Sequence, residues 1–390
     1  MTKKWVNIAD VLFFQEGPGV RNTQYTTSGV KLLNVANLVD GKVDLSKSDR
    51  YISEEEAYGK YRHFLCDDGD FVIASSGIKV EYIDKKMGFV DASMLPLCMN
   101  TSTIRFKVLD ENQLRIRYFM YYLKSKHFKE QLTKQITGSA QLNYGPSHLK
   151  KMIMPLIDIT VQDEIISCMD KLQSIIETRQ RELIELDRLM KARFVELFGD
   201  PRSNPFGFEK KRLKDTCKVI TGNTPSRAIA EYYGDYIEWI KTDNIVSGIL
   251  NPTQATESLS EKGMNVGRTV EKDSILMACI AGSIASIGRV CITDRTVAFN
   301  QQINAVVPEQ YNILFLYVLF QMSKDYLVED INMALKGILS KSKLEEKEFI
   351  IPPMDLQEQF SDFVKQVNKS KLNKIAARWP AKAVTQFFFF

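Results

Sequence analysis

The chain has 390 residues, 44% of them hydrophobic and 26% charged, which is a globular composition with room for two or three domains. No apolar stretch approaches the ~20 residues of a membrane span, and the first residues lack the apolar run of a signal peptide. The net charge of +4 is only a weak indication of nucleic-acid binding.

The cysteines and histidines do not indicate a metal site. Six cysteines never form a CxxC pair, and there are only three histidines, His63, His127 and His148. We therefore predict reduced cysteines, no bound metal and a cytoplasmic location.

The first module is predicted over residues 1–155 with an α+β fold. Residues 28–41 have the pattern of an apolar strand, a polar turn and a closing glycine, and residues 68–74 that of a further strand. A helical stretch at about 113–135 precedes an exit strand that stops at Pro155.

A long amphipathic helix is predicted next, over residues 156–198. Its apolar residues recur at steps of three and four over about 33 residues, interrupted only by Arg179 and Arg193. This seam is typical of a coiled coil and disfavours a helix that packs only on its own domain. The seam consists of Ile165, Met169, Leu172, Ile176, Leu183, Leu186, Met190 and Leu197.

The second module is predicted over residues 199–352, after Pro201 and Pro205 end the helix. A shorter distal helix, over 353–377, is expected to pair with the long one through Phe360, Phe363 and Val367. Residues 378–390 form an atypical tail.

The two modules follow the same plan. The strand pattern of 28–41 returns at 236–248, that of 68–74 at 271–278, and the helical stretch at about 311–334. Gln162 and Gln357 begin the two helices and lie 195 residues apart, half the chain length. We predict two similar α+β domains, related as a repeat and separated by coiled-coil helices.

Catalytic motifs are not recognisable in the sequence. Residues 204–207, NPFG, lack the second proline of an adenine methyltransferase motif, and residues 14–19, FQEGPG, have the wrong spacing for its cofactor loop. Residues 282–289 have one residue too many and no lysine for a phosphate loop. Asp200 with Glu209 and Lys211 only approximates nuclease spacing. We expect no catalysis by this chain.

Several motifs resemble one family. These are FQEGPG at 14–19, GVKLLNV at 29–35, NTSTIRF at 100–106, GSAQLNYGPSHLK at 138–150, FGDP at 198–201, GNTPS at 222–226, YYGD at 232–235, WIK at 239–241 and NQQ at 300–302. In this order they resemble the specificity subunits of Type I restriction-modification systems, over roughly residues 5–375.

The resemblance implies a division of labour within a complex. Each module would be a target-recognition domain that reads one half of a split sequence in double-stranded DNA. The helices would set the spacing and dock methyltransferase subunits, and restriction subunits would then join. The subunit itself would hold no cofactor, since S-adenosylmethionine and ATP belong to its partners.

Base reading requires donors and acceptors on loops that reach a groove. The candidate DNA-binding residues are Arg21, Ser75, Ser76, Lys79, Gln141, Asn143 and Tyr144 in the first module and Thr224, Ser226, Lys241, Thr242, Asn244, Ser283, Gln301 and Lys336 in the second. Two other interpretations stay open at this point. The chain could be an autonomous DNA-modifying enzyme, or a coiled-coil adaptor that does not bind DNA.

Overall fold

A computed structural model of the chain describes residues 4–136, 143–331 and 337–376, the last five of these without their side chains. The chain divides into two compact units, Met1–Thr178 and Arg179–Ala377. The division falls within one long helix, so that helix contributes to both units.

The described residues of the first unit form eleven strands and five complete helices. Its strands are β1 (Lys4–Asn7), β2 (Leu12–Glu16), β3 (Val30–Leu33), β4 (Leu38–Val39), β5 (Lys42–Val43), β6 (Tyr51–Ile52), β7 (Phe71–Ala74), β8 (Met87–Phe89), β9 (Leu97–Met99), β10 (Thr103–Val108) and β11 (Ile153–Leu156). Its helices are α1 (Ile8–Val11), α2 (Glu54–Tyr58), α3 (Ile116–Leu123), α4 (Lys126–Gln135) and α5 (Pro146–Leu149), and α6 (Ile159–Phe198) begins in it.

The first unit is organised around a four-stranded antiparallel sheet in the order β2-β10-β7-β8. A second sheet has the order β6-β3-β9, and the entry and exit strands β1 and β11 pair with each other. The core lies between the larger sheet and α3 and α4, where the rings of Phe106 and Phe119 are 5.0 Å apart. The predicted helical stretch is two helices because the Ser125 hydroxyl accepts a hydrogen bond from the amide of Phe128 and starts α4.

The second unit repeats the main elements of the first in the same order. Its strands are β12 (Glu209–Arg212), β13 (Cys217–Thr221), β14 (Tyr233–Gly234), β15 (Ile237–Ile240), β16 (Ser258–Leu259), β17 (Thr269–Val270), β18 (Ile275–Ala278), β19 (Val290–Ile292), β20 (Val297–Phe299), β21 (Ile303–Pro308) and β22 (Glu348–Ile351). Its helices are α7 (Glu261–Val266), α8 (Ile313–Met322), α9 (Lys324–Val328), α10 (Lys341–Glu346) and α11 (Met354–Ala376).

The sheets of the second unit follow those of the first, except that its second sheet has five strands in the order β14-β16-β15-β20-β17 and the β4-β5 pair has no counterpart among the described strands. The four-stranded sheet has the order β13-β21-β18-β19, β12 pairs with β22, and β16-β15-β20 corresponds to β6-β3-β9. The corresponding pairs β3-β9 and β15-β20 are both parallel. The predicted fold class, two similar α+β modules with a long helix, is therefore confirmed.

The repeated glutamines have the same structural task. The side chain of Gln162 accepts from the amide of Arg115 at 2.9 Å and donates to the carbonyl of Ile157 at 2.8 Å. Gln357 accepts from the amide of Asn312 and donates to the carbonyl of Pro352 at the same two distances. Each buried amide thus holds the start of its helix to the N-terminus of another helix of the same unit, α3 in the first and α8 in the second.

The two ends of α6 pack into different cores, and pairing along one continuous seam stays a prediction. Ile165 and Met169 are buried in the core of the first unit, and Leu172 packs against it. Met190 is buried in the core of the second unit together with Phe194 and Phe198, which the predicted seam did not include. These three follow steps of four residues, the spacing of a helix on a globular core rather than of a heptad.

The middle of α6 is only partly covered within its own units. Ile176, Leu183 and Leu186 are half-buried, and Ile175, Ile184 and Leu189 are about half exposed. Their part in helix pairing stays a prediction.

Helix α11 runs antiparallel to the last turns of α6 within the second unit. The ring of Phe360 lies 5.6 Å from Phe194 and 5.5 Å from Phe198. Further along α11, the amine of Lys371 forms an ion pair with Asp187, which lies earlier on α6. Val364 and Val367 are buried and Phe363 is half-buried, so α11 belongs to this core.

Candidate nucleic-acid interface

In each unit the connecting loops of the four-stranded sheet meet at one end of that sheet. In the first unit β2 and β7 end there and β10 and β8 begin there, as antiparallel pairing requires. The corresponding strands of the second unit are β13, β18, β21 and β19. We call these regions the loop ends: residues 17–21, 75–86 and 100–102 in the first unit, and 222–227, 279–289 and 300–302 in the second.

Equivalent backbone hydrogen bonds hold both loop ends. The amide of Gly17 donates to the carbonyl of Thr103 at 2.9 Å, and that of Gly222 donates to Ile303 at 3.0 Å. A Cβ at either glycine would overlap the carbonyl of Asn100 or of Asn300, so the close approach requires glycine. The loops differ in side chains but share this frame.

Seven of the predicted DNA-binding residues have exposed side chains at or beside the loop ends. They are Arg21, Lys79 and Asn143 in the first unit and Thr224, Ser226, Ser283 and Gln301 in the second. Thr224 and Gln301 are hydrogen-bonded to each other, and Ser283 lies 3.0 Å from the hydroxyl of Ser286. Ser76 is half-buried and pairs with Asn143.

Three other predicted readers are buried parts of the frame, which corrects their assignment. The Ser75 hydroxyl donates to Glu16 at 3.0 Å, and the Tyr144 hydroxyl donates to the carbonyl of Ala74 at 3.1 Å. Burial raises the pKa of the Tyr144 phenol. Asn244 accepts from the amide of Lys241 and donates to the carbonyl of Gln254, as Asn37 does between Asn34 and Asp44.

Lys241 and Thr242 are half-buried beside the loop end of the second unit. The Lys241 amine donates to Glu257 at 2.7 Å and lies 5.2 Å from the ring of Trp239. Gln141 and Lys336, the remaining two candidates, lie outside the residues that the structure describes.

A shallow hollow at the loop end of the first unit is positively charged. It is lined by Lys79, Lys85 and Lys86 together with Tyr82 and Asp40. The Lys85 amine lies 5.5 Å from the ring of Tyr82. Three lysines around one open hollow suit a polyanion.

The sequence interpretation missed a group of arginines and aromatic rings. In the first unit the guanidinium of Arg50 lies 5.1 Å from the ring of Tyr25. In the second unit Arg227 lies 4.4 Å from the ring of Tyr233 and 5.2 Å from Trp239. The sequence offered one signal for this group, a tyrosine at the equivalent position of each module, Tyr25 and Tyr233. The arginines occupy positions that do not correspond, so the repeat does not reveal them.

Glu257 carries a charge in this group. Its two carboxylate oxygens accept from Lys241 and from Arg227, the latter at 2.6 Å. The hydrogen bond from Lys241 and then that from Arg227 lower the pKa of Glu257, so it stays ionised at neutral pH. The two cations and one anion leave a net positive charge.

Across the described ranges we find no cluster of three or more His, Cys, Asp or Glu side chains placed to hold a metal ion. None of the helices in these ranges has the length and apolar character of a membrane span.

The fold and the loop ends define a protein built from two tandem copies of one α+β module, each presenting polar loops at one sheet end. The chain belongs to the family of the Type I restriction modification DNA specificity domain, whose model matches residues 18–188 and 205–378.

Curated relatives resemble parts of the chain. The HindI specificity subunit of Haemophilus influenzae is 33% identical over 146 residues, 36% of this chain and 31% of that protein. The MjaIX specificity subunit of Methanocaldococcus jannaschii is 28% identical over 184 residues, 44% of this chain and 41% of that protein. The matched segments thus span less than half the length of these relatives.

Solved structures share the fold of the whole chain. The Type I restriction-modification S subunit from M. genitalium has a TM-score of 0.55 at 13% identity, covering 99% of this chain and 94% of that one. A chain from a structure described for complex assembly and conformational transition of the type I R-M system has a TM-score of 0.54 at 14% identity, covering 98% and 95%.

Proposed function

We propose that this chain is the DNA sequence-specificity subunit of a Type I restriction-modification complex. Each module would read one half of a bipartite duplex target with the polar side chains at its loop end. The observation that supports this most directly is the repeated frame, which presents two different sets of exposed donors and acceptors on equivalent loops. Base edges in the major groove are distinguished by such donors and acceptors.

The readers we propose are those whose side chains are accessible. In the first module they are Arg21, Ser76, Lys79 and Asn143, with Gln141 kept from the sequence prediction. In the second they are Thr224, Ser226, Lys241, Thr242, Ser283 and Gln301, with Lys336 kept likewise.

We further propose that the chain is non-catalytic and acts in the cytoplasm with partner subunits. Methyltransferase subunits would dock on the helices α6 and α11, and a restriction subunit would join through the complex. The proteins it resembles are specificity subunits by name, and the sequence lacks recognisable methyltransferase motifs. S-adenosylmethionine and ATP would therefore be bound by the partners.

A module exchange tests the proposal. Residues 1–155 are replaced by the matching module of a relative, and the chimera is expressed with its methyltransferase partner. Methylome sequencing should find one half of the target changed and the other half retained. The reciprocal exchange of 199–352 is the matched control and should change the other half.

Three results would contradict the proposal. A chimera that changes both half-sites would show that the modules do not read independently. Methyl transfer by the purified chain without a partner would favour an autonomous enzyme. A chain that binds no duplex DNA, alone or with partners, would favour an adaptor.

A further inference from the structure

Both modules place an arginine over a tyrosine at the equivalent position of the repeat. Tyr25 directly follows the 3-10 turn Asn22–Gln24, and Tyr233 directly follows the 3-10 turn Ala230–Tyr232. Arg50 covers the first ring and also donates to its hydroxyl at 3.3 Å. Arg227 covers the second ring.

The two arginines come from different positions in the repeat. Arg50 directly precedes β6, and the residue that directly precedes the equivalent strand β16 is Glu257. Arg227 instead comes from the loop that follows Ser226. The repeat therefore keeps a guanidinium on this ring by two separate routes, which indicates that the charge and its position matter.

Both rings are fastened to the loop ends. The Tyr25 hydroxyl accepts from the side-chain amide of Asn100 at 3.4 Å. The Tyr233 hydroxyl donates to the carbonyl of Pro225 at 2.7 Å, and the Trp239 indole donates to that of Asn223 at 3.3 Å. The guanidinium groups stay exposed beside the candidate readers.

We propose that Arg50 and Arg227 are the phosphate anchors of the two modules, each binding a backbone phosphate of the duplex beside its half-site. This inference rests on the proposed function. A guanidinium matches phosphate with two parallel hydrogen bonds, and an aromatic face limits the rotamers it can adopt. Contacts to phosphate carry no sequence information, so modules that read different bases can share them.

Glu257 moderates the anchor of the second module. Its carboxylate already occupies hydrogen-bond donors of Arg227 and Lys241, so a phosphate must compete with it. Glu257→Gln removes the competing charge and leaves both cations and both rings in place. We expect this variant to bind every duplex severalfold more tightly.

The test measures binding of the full chain to a target duplex and an unrelated duplex by fluorescence anisotropy across a salt series. Each phosphate contact contributes about 0.9 to the slope of log K against log salt. Arg50→Gln and Arg227→Gln should each lower the slope by about 0.9 and weaken both duplexes by the same factor. The double variant should lose about twice as much slope.

Arg212→Gln is the matched control. Arg212 is an exposed arginine that pairs with Glu346 at 3.3 Å, as Arg227 pairs with Glu257. It lies before the start of β13, at the end of the sheet opposite the loop end, and it covers no ring in the described structure. It should keep the slope of the unaltered chain. Thermal unfolding of each variant establishes that the fold is retained.

Two outcomes would overturn the inference while leaving the proposed function intact. Unaltered slopes in both variants would mean that neither arginine contacts phosphate. Weakened binding of the target duplex alone would make them base readers. If the unaltered chain binds neither duplex, alone or with its methyltransferase partner, the proposed function itself fails.

Discussion

Arginines of the first unit serve two different purposes. Arg50 is exposed on a ring, whereas Arg105 is buried in the middle of the four-stranded sheet. The Arg105 guanidinium donates to the carbonyls of Leu65 and His63, both at 2.7 Å, and pairs with the buried carboxylate of Asp70 at 3.2 Å. Residue type alone would place both arginines on DNA, but only the surroundings distinguish them.

Arg105→Met should therefore destabilise the first unit. Removing one partner of a buried ion pair leaves the carboxylate of Asp70 poorly compensated, which costs about 3 kcal/mol or more. Lys107, at 3.3 Å from Asp70, limits the loss. Urea-induced unfolding, with hydrogen exchange of β10 to assign the transition, measures the change.

Arg50→Gln provides the comparison, because exposed substitutions usually change stability by less than about 0.5 kcal/mol. Equal destabilisation by both variants would show that Arg105 does not hold the sheet together.

At the scale of elements, α6 is one continuous helix of 40 residues with two separate packing surfaces. Its first turns are held to α3, where Arg115 pairs with Asp163 at 2.8 Å. In its last turns, Phe194 and Phe198 pack against Phe315 and Phe360. Helix α11 is anchored by the second surface.

Phe194→Ala should destabilise the second unit by about 3–5 kcal/mol, the usual effect of removing a buried phenyl ring. Hydrogen exchange should also show loss of protection in α11, since Phe360 loses a ring neighbour. Val195→Ala, on the exposed side of the same turn, is the control. If the two variants lowered stability equally, the packing described for this surface would be incorrect.

At the scale of the whole molecule, the continuity of α6 makes it a candidate ruler between half-sites. Inserting four helical residues between Gln180 and Arg181 adds about 6 Å of rise and turns the helix by roughly one full turn. With a duplex rise of about 3.4 Å per base pair, the gap between half-sites should lengthen by one or two base pairs.

Methylome sequencing of the insertion variant with its partners measures both the gap and the half-sites. The half-sites should stay unchanged, because no loop-end residue is altered. An inserted pair of residues, which turns the helix by about half a revolution, is the control and should abolish activity. An active four-residue variant with an unchanged gap would exclude the ruler.

Local patterns in the sequence were enough to predict the main helices and strands and the repeat of the two modules. The helix predicted over 156–198 is α6, which begins three residues later and ends at the predicted residue, and the exit strands, the glycine-closed turns and the paired glutamines all recur where they were expected. Periodicity and turn chemistry depend on neighbours along the chain, so they can be read without the fold.

Tertiary structure alone decided which polar side chains face solvent. Ser75 is buried and hydrogen-bonded to Glu16, 59 residues away, and Tyr144 is buried and hydrogen-bonded to Ala74, 70 residues away. Arg50 reaches Tyr25 because β6 pairs with β3, and Phe194 is buried because α11 returns to α6. Burial and stacking depend on residues brought together by strand pairing and helix packing, and neither leaves a periodic signal in the sequence.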